Sequence, residues 1–370
     1  MINILQGNCI DKIKELEDDS IDCVVSSPPY FGLRDYGTDE QFGLEKTYQD
    51  YLANTVKVFE TFKPKLKDTA TIWWNVGDSY SSGKRKSTTN QSLRGGKDYG
   101  VTRTPVQNGI KEKDLLMIPN RVAIALQDAG WYVRSEIIWH KPNPMPESVR
   151  DRPTSSHEKI WLITKNKKYY YDADAIKEAC KTFDKNIRDR DTTKLNNTPG
   201  RSKMAGLKKN NYTVKNKRNV WTVSTKPFKG AHFATFPKDL IEPCIKAGCP
   251  EKVCVECGTP YTRKFKTVTT PERQTRDNMV NVIPGRDKPT RMNSKNMESL
   301  VKEDLGFTKD CNCKTDEFKA GLVLDPFGGS GTTGIVASLN NRDAVLCELN
   351  QEYIKIAEAR IEKELGMFNK

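Results

Sequence analysis

The apolar run Leu322-Val323-Leu324-Asp325 passes directly into Pro326-Phe327-Gly328-Gly329-Ser330-Gly331-Thr332-Thr333-Gly334, and this junction narrows the architecture more than any other segment of the 370-residue chain. A short apolar run stopped by Pro and Gly reads as a buried strand entering a turn. Glycines at 329, 331 and 334 then reproduce G-x-G-x-x-G, where the absent side chains let the backbone approach a ligand as a helix begins. Thr332–Leu339 carries that helix, 344–348 the next strand, and Glu348 ends it, placed to accept from ribose hydroxyls. A nucleoside cofactor is implied, and the glycines suit a nicotinamide dinucleotide or S-adenosylmethionine equally. Asp325-Pro326-Phe327 tilts the choice to the second: a strand-end carboxylate can hold the amino-acid end of a sulfonium cofactor, and Phe327 can pack on its adenine. The plainer reading is a tight turn in an α/β sheet.

The same alternation opens the chain, with strands at 2–5 and 22–26 around a helix at 11–16. It continues with helix Tyr48–Phe62, strand 69–76, helix 115–128, strand 132–139, strand 159–164, helix 237–247 and a terminal helix from 351. This is the signature of an α/β fold with a doubly wound, mostly parallel sheet, whose ligands sit at the carboxyl ends of strands near the switch in strand order. Three regions follow: 1–171, with a polar insert at 80–113; 172–230; and 231–370, with an insert at 249–320.

Charge points to the partner. The formal net charge is +13, and the excess is concentrated: 12 Lys/Arg against 3 Asp/Glu over 181–219, and 8 against 2 over 84–113. Each insert alone reads as a solvated loop, but two basic inserts flanking one candidate site favour phosphate contacts and hence nucleic acid. No stretch approaches the roughly 18 apolar residues of a membrane span, and the N-terminus shows no export signal. Ten cysteines, half of them scattered singly, suit a reducing cytoplasm better than a disulfide scaffold.

Ser27-Pro28-Pro29-Tyr30 follows the apolar strand containing Cys23-Val24-Val25. Two prolines remove two amide donors and leave carbonyl acceptors, giving an acceptor-rich niche. The amino nitrogen of a base is a poor nucleophile until acceptors such as the Ser27 hydroxyl and the Pro28 carbonyl hold its hydrogens. Tyr30 offers a face on which an extruded base can stack. Taken alone, the tetrapeptide is equally an ordinary Pro turn with a packed Tyr.

Together these two clusters resemble the N4-cytosine/N6-adenine DNA methyltransferases of restriction-modification systems and phages. Their order, tetrapeptide first and glycines near the C-terminus, is similar to the circularly permuted β group of that Rossmann-like family. The resemblance extends over 75–80, 138–146, 150–158 and 232–237. It implies S-adenosylmethionine as methyl donor, held by Phe236, Pro237, Asp325, Pro326, Phe327, Gly328, Gly329, Ser330, Gly331, Thr332 and Glu348. It also implies catalysis by Ser27, Pro28, Pro29 and Tyr30, double-stranded DNA as substrate, and target recognition through 172–230. A homodimer and a cognate restriction endonuclease come with it as expected partners, in a prokaryotic or phage-encoded cytoplasmic protein. Gly7-Asn8 departs from the family's usual Gly-Asp, so no charged role falls there. A tetrapeptide beginning with Ser is associated mostly with N4-cytosine enzymes, which places N6-adenine second.

Cys254-x-x-Cys257 and Cys311-x-Cys313 form two chelating pairs suited to a tetrahedral structural zinc, the first resembling a zinc knuckle; unliganded loop thiols are the alternative. Such a zinc would pin the 249–320 insert and present Arg263, Lys264 and Lys266 to phosphates. A zinc deaminase is disfavoured because H-x-E is missing near these cysteines. His140, His157 and His232 read as structural, and Trp73, Trp74, Trp139 and Trp161 as core or site wall. An NAD oxidoreductase would leave Ser27–Tyr30 and the basic charge unexplained. A catalytically idle DNA-binding protein and an RNA substrate are the further alternatives.

Overall fold

The computed structural model describes residues 1–33, 41–81, 109–179, 214–226, 236–269 and 300–366. Most of both basic inserts and His232 lie outside the described residues. The N-terminal half contains β1 (Ile2–Gln6), α1 (Cys9–Lys14), β2 (Ile21–Ser26), α2 (Tyr48–Phe62), β3 (Leu66–Val76), α3 (Ile118–Asp128), β4 (Tyr132–His140) and β5 (His157–Thr164). Then come β6 (Glu178–Ala179), β7 (Val214–Lys215), β8 (Val220–Thr222), α4 (Lys238–Gly248), β9 (Val253–Cys254), β10 (Thr262–Thr269), β11 (Leu300–Thr308), β12 (Phe318–Lys319), β13 (Leu322–Asp325), α5 (Thr332–Leu339), β14 (Asp343–Glu348) and α6 (Gln351–Leu365).

Eight strands form one sheet in the order β1-β14-β13-β2-β3-β5-β4-β8. The first five pair in parallel, β5 is antiparallel to both β3 and β4, and β8 lies parallel to β4 at the edge. The reversal at β5 has a simple cause: residues 141–156 between β4 and β5 contain no helix to carry the chain back for a parallel partner.

Alternation across the pleat separates two cores. Val24, Ile72 and Trp74 face α2 and α3, which bring Tyr51, Phe59, Phe62, Ile118, Val122 and Leu126. Val25 and Trp73 face α4 and α5, which bring Leu240, Ile241, Ile245 and Val336. The sheet is therefore wound on both faces, as the sequence pattern requires. In α2 the buried residues Tyr51, Thr55, Val58, Phe59 and Phe62 recur at helical spacing, and Thr47 caps its start by accepting from the Asp50 amide.

Helix starts shift from the sequence expectation for local reasons. α1 begins at Cys9 because the Asn8 side chain accepts from the Ile10 amide at 3.0 Å. α3 begins at Ile118, with Pro119 in its first turn, while Leu115 bridges to Tyr80. Among the described residues no helix is long and apolar enough to cross a membrane.

Candidate active site

β13 and β2 are neighbours at the centre of the sheet, with Val323 opposite Cys23 and Leu324 opposite Val24. The chain leaves β13 toward the face covered by α5 and leaves β2 toward the face covered by α2, so a crevice opens at their carboxyl ends. The two sequence clusters meet there. Ser27, Pro28, Pro29 and Tyr30 line a cleft of about 1000 Å³ together with Phe236, Pro326, Phe327, Gly328, Gly329, Ser330, Thr332 and Glu348.

The glycine turn is braced from below. Gly329 and Gly331 take φ of +51° and +76°, a region that disfavours side chains, and a Cβ on Gly328 would stand 2.8 Å from the Leu346 Cβ. Glu348 accepts from the Gly329 amide through Oε2 and from the Asn350 amide through Oε1, each at 2.8 Å. Burial pushes its carboxyl above the usual range. Each oxygen keeps a second lone pair for a ribose hydroxyl. Arg360 donates to Ser330 Oγ at 2.9 Å and Thr332 Oγ1 at 2.7 Å, fixing the far side of the turn. Phe327 packs against Phe42 at 5.2 Å and Trp74 at 6.1 Å between ring centroids while also lining the cleft.

Three expected cofactor residues stand behind the wall. Asp325 is 1% exposed, and both its oxygens are occupied: Oδ1 accepts from Ser26 Oγ at 2.5 Å and the Phe327 amide at 3.0 Å, and Oδ2 from Thr333 Oγ1 at 2.5 Å. The expectation that this carboxylate faces the cofactor is therefore corrected: it clamps β2, the turn and α5 together. Gly331 is the N-cap of α5, and Pro237 is the N-cap of α4, one residue behind Phe236.

At the other end of the cleft a polar network surrounds the tetrapeptide. The Tyr30 hydroxyl donates to Glu158 Oε2 at 2.6 Å, and Asn75 Nδ2 lies 2.8 Å from the Tyr30 oxygen, 3.1 Å from Glu158 Oε2 and 3.3 Å from Ser27 Oγ. Lys141 pairs with Glu158 Oε1. A carboxylate only accepts, so the Tyr30 hydroxyl donates its hydrogen bond to Glu158, and the Ser27 hydroxyl, 3.2 Å from the Tyr30 oxygen, donates to that oxygen in turn. Ser27 is thereby turned into an acceptor toward the cleft. Burial first, and then the Glu158 charge, hold the Tyr30 phenol well above its ordinary pKa, so it stays neutral.

Of the two proline carbonyls, that of Pro29 accepts from the Tyr51 hydroxyl at 3.2 Å, so the expectation of two free acceptors is reduced to Pro28. The Tyr30 ring rests on Gly77, where a Cβ would lie 2.4 Å from Cε2.

Asn75, Gly77, Lys141 and Glu158 fall within segments that carried the family resemblance, yet sequence reading gave them no role. Gly7, Asn8 and Asn350 also line the cleft. The signal for all of them was position: each sits at or just beyond the carboxyl end of a sheet strand, or at the start of the next strand in the case of Glu158. The tryptophans Trp73, Trp74, Trp139 and Trp161 are buried as expected, and so is Trp221, which joins the sheet edge through β8. His157 lines the cleft, and His140 lies 3.2 Å from Thr222 Oγ1.

Cys254, Cys257, Cys311 and Cys313 come together away from the cleft. Arg263 is ion-paired to Asp172 and Asp304, and Lys264 to Asp310.

The sequence profile of a family described as DNA methylase matches residues 21–255 and 258–359. Over 361 residues the chain is 36% identical to the type II methyltransferase M.Cfr9I of Citrobacter freundii, covering 98% of this chain and 88% of that protein. It is 36% identical over 358 residues to the type II methyltransferase M.SmaI of Serratia marcescens, covering 97% and 90%. The PvuII DNA methyltransferase, described as cytosine-N4-specific, shares the fold with a TM-score of 0.53 at 15% identity, covering 100% of this chain and 91% of that one.

Proposed function

Because the chain belongs to the DNA methylase family of N6-adenine and N4-cytosine enzymes, we propose that it methylates the exocyclic amino nitrogen of a base flipped out of double-stranded DNA, N4 of cytosine in preference to N6 of adenine. The observation that carries this reading is the meeting in one cleft of the glycine turn with Ser27, whose hydroxyl donates to Tyr30 and so leaves its oxygen as an acceptor toward the cleft. S-adenosylmethionine, when bound, supplies a methyl group on a positively charged sulfur. Phe236, Phe327, the 328–330 backbone and Glu348 are the groups available to hold it.

The remaining chemistry belongs to the chain's own side chains. Tyr30, seated on Gly77, stacks the flipped base, and Ser27 Oγ with the Pro28 carbonyl accepts the two amino hydrogens. Holding both draws the lone pair out of the ring's π system and aims the nitrogen at the methyl carbon. Bound S-adenosylmethionine would supply the methyl group to that nitrogen, with its sulfur as the leaving group, and Ser27 or solvent would take up the surplus amino proton. This is catalysis by position and hydrogen bonding, without a covalent enzyme intermediate.

The preference for cytosine rests on Ser at position 27, where a hydroxyl stands instead of the Asp or Asn associated with adenine enzymes. Residues 172–230 are assigned to target recognition; their described C-terminal part enters the sheet edge through β8. Methyl transfer to duplex DNA, with identification of the modified base, tests the whole reading.

A further inference from the structure

The Cys254-x-x-Cys257 and Cys311-x-Cys313 motif takes no part in the cleft, and its geometry calls for a separate explanation. The four sulfurs all lie within 4.8 Å of one another. Tetrahedral zinc with Zn–S bonds of about 2.3 Å sets its sulfurs about 3.8 Å apart, so small side-chain adjustments complete the site. Thiols are weak hydrogen-bond partners, and four gathered together gain little from one another without a metal.

Hydrogen bonds within the chain shape both ligand loops. β9 ends at Cys254, whose carbonyl accepts from the Gly258 amide at 2.9 Å and whose amide donates to the Thr259 carbonyl at 3.0 Å. Gly258 has φ of +67°, which turns the chain back directly after Cys257. In the second loop, Lys309 Nζ donates to the carbonyls of Cys313 at 2.8 Å and Thr315 at 2.9 Å and pairs with Asp316 at 2.8 Å. Its cation also stands near a tetrathiolate centre, whose net charge is negative even with zinc bound. β9 pairs with β12, setting Cys254 opposite Phe318 and bringing the two loops together.

This cluster closes the base of the antiparallel β10–β11 hairpin. Asp310, beside Cys311, pairs with Lys264 at 2.7 Å and accepts from Thr262. Arg263 reaches Asp172 at 3.2 Å and Asp304 at 2.7 Å. Asp172, almost fully buried, is tied through its amide to the Ala247 carbonyl at 2.9 Å. Among the described residues of the insert, Cys249, Pro250, Val253, Cys254, Pro260 and Tyr261 are buried, a small core of the kind that a metal commonly supplements.

We propose that Cys254, Cys257, Cys311 and Cys313 bind one structural zinc ion through four thiolates and that the metal fastens the β10–β11 hairpin to the catalytic body. Four ligands leave no open position, so the ion does no chemistry on substrate. Each thiol that ligates releases its proton to solvent.

The test is metal analysis of the full-length protein, purified under reducing conditions, by inductively coupled plasma mass spectrometry, with thiols counted before and after metal release. Wild type is expected to hold about one zinc per chain and to free four additional reactive thiols when the metal is removed. The Cys311→Ser/Cys313→Ser variant is expected to lose at least tenfold in zinc content while keeping S-adenosylmethionine affinity within about twofold. Metal-free wild type, the four cysteines found as disulfides, stoichiometric iron in place of zinc, or undiminished zinc in the double variant would each overturn the assignment. The wild-type measurements decide the matter even if the variant does not fold.

Discussion

Ser26 Oγ donates to Asp325 Oδ1 at 2.5 Å, joining residues 299 positions apart. The bond fastens the strand that ends in the tetrapeptide to the strand that ends in the glycine turn, so the two halves of the candidate active site share one support. Asp325 also accepts from Thr333 and the Phe327 amide, and no cation is among the groups that shift its carboxyl.

That isolation gives Asp325 a pH signature. Burial raises its carboxyl above the ordinary value, and the hydrogen bonds from Ser26, Thr333 and Phe327 only partly offset this. As pH climbs past the ordinary carboxylate range, the unfolded chain ionises first while the folded one keeps its proton. Its contribution to stability therefore falls with rising pH, by about 1.4 kcal/mol per pH unit across that window. Asp325→Asn removes the titration, so variant-minus-wild-type stability in urea melts is expected to rise with pH and then level off. A flat or falling difference would contradict the buried-acid assignment.

Gly77 is expected to set the position of Tyr30. Alanine there places a methyl group 2.4 Å from the ring, and overpacking of this kind costs about 1–3 kcal/mol. Gly77→Ala should lower kcat about tenfold or more and leave cofactor affinity within about twofold. Wild-type turnover in this variant would mean that the ring's seat does not matter to methyl transfer.

Glu158 anchors the chain of donors that begins at Ser27. Glu158→Gln keeps the shape and removes the charge that directs the Tyr30 and Ser27 protons. A hydrogen bond to a charged group contributes about 1.5–3 kcal/mol, so turnover should fall about 10- to 100-fold. The Tyr30 phenol should also titrate at lower pH than in wild type, read by ultraviolet difference against a Glu158→Gln/Tyr30→Phe control. An unmoved phenol titration would show that Glu158 does not control the tyrosine.

Gly329→Val addresses the other end of the cleft. A β-branched residue at φ +51° costs about 1–2 kcal/mol in backbone strain, and it disturbs the amide that Glu348 holds. Calorimetry with S-adenosylmethionine should show at least a tenfold loss of affinity. Equal losses of cofactor affinity in Gly77→Ala and Gly329→Val would dissolve the division of the cleft into base and cofactor halves.

Much of this site was legible in residue types alone. Ser27-Pro28-Pro29-Tyr30 and the Pro326–Thr332 turn announce themselves because Pro and Gly have local conformational meaning, and C-x-x-C with C-x-C because chelation needs close spacing. Their adjacency came from the family resemblance and not from the residue types themselves: it depends on β13 pairing with β2 across nearly the whole chain. Nor was the direction of β5, since period-2 burial is the same in parallel and antiparallel strands. Asn75, Lys141 and Glu158 are ordinary polar residues in sequence, and only convergence in space gives them a common function. Asp325 was misread because a strand-end carboxylate serves a ligand or a clamp equally well until its partners are known.

The most direct test of the central claim is to incubate the purified protein with duplex DNA and isotopically labelled S-adenosylmethionine, digest to nucleosides and identify the labelled product by mass spectrometry. Genomic DNA from a host lacking the enzyme offers a wide range of unmodified sequences. The expected product is labelled N4-methyldeoxycytidine; labelled N6-methyldeoxyadenosine would contradict the base assignment, and cofactor binding without any labelled nucleoside would contradict methyl transfer itself.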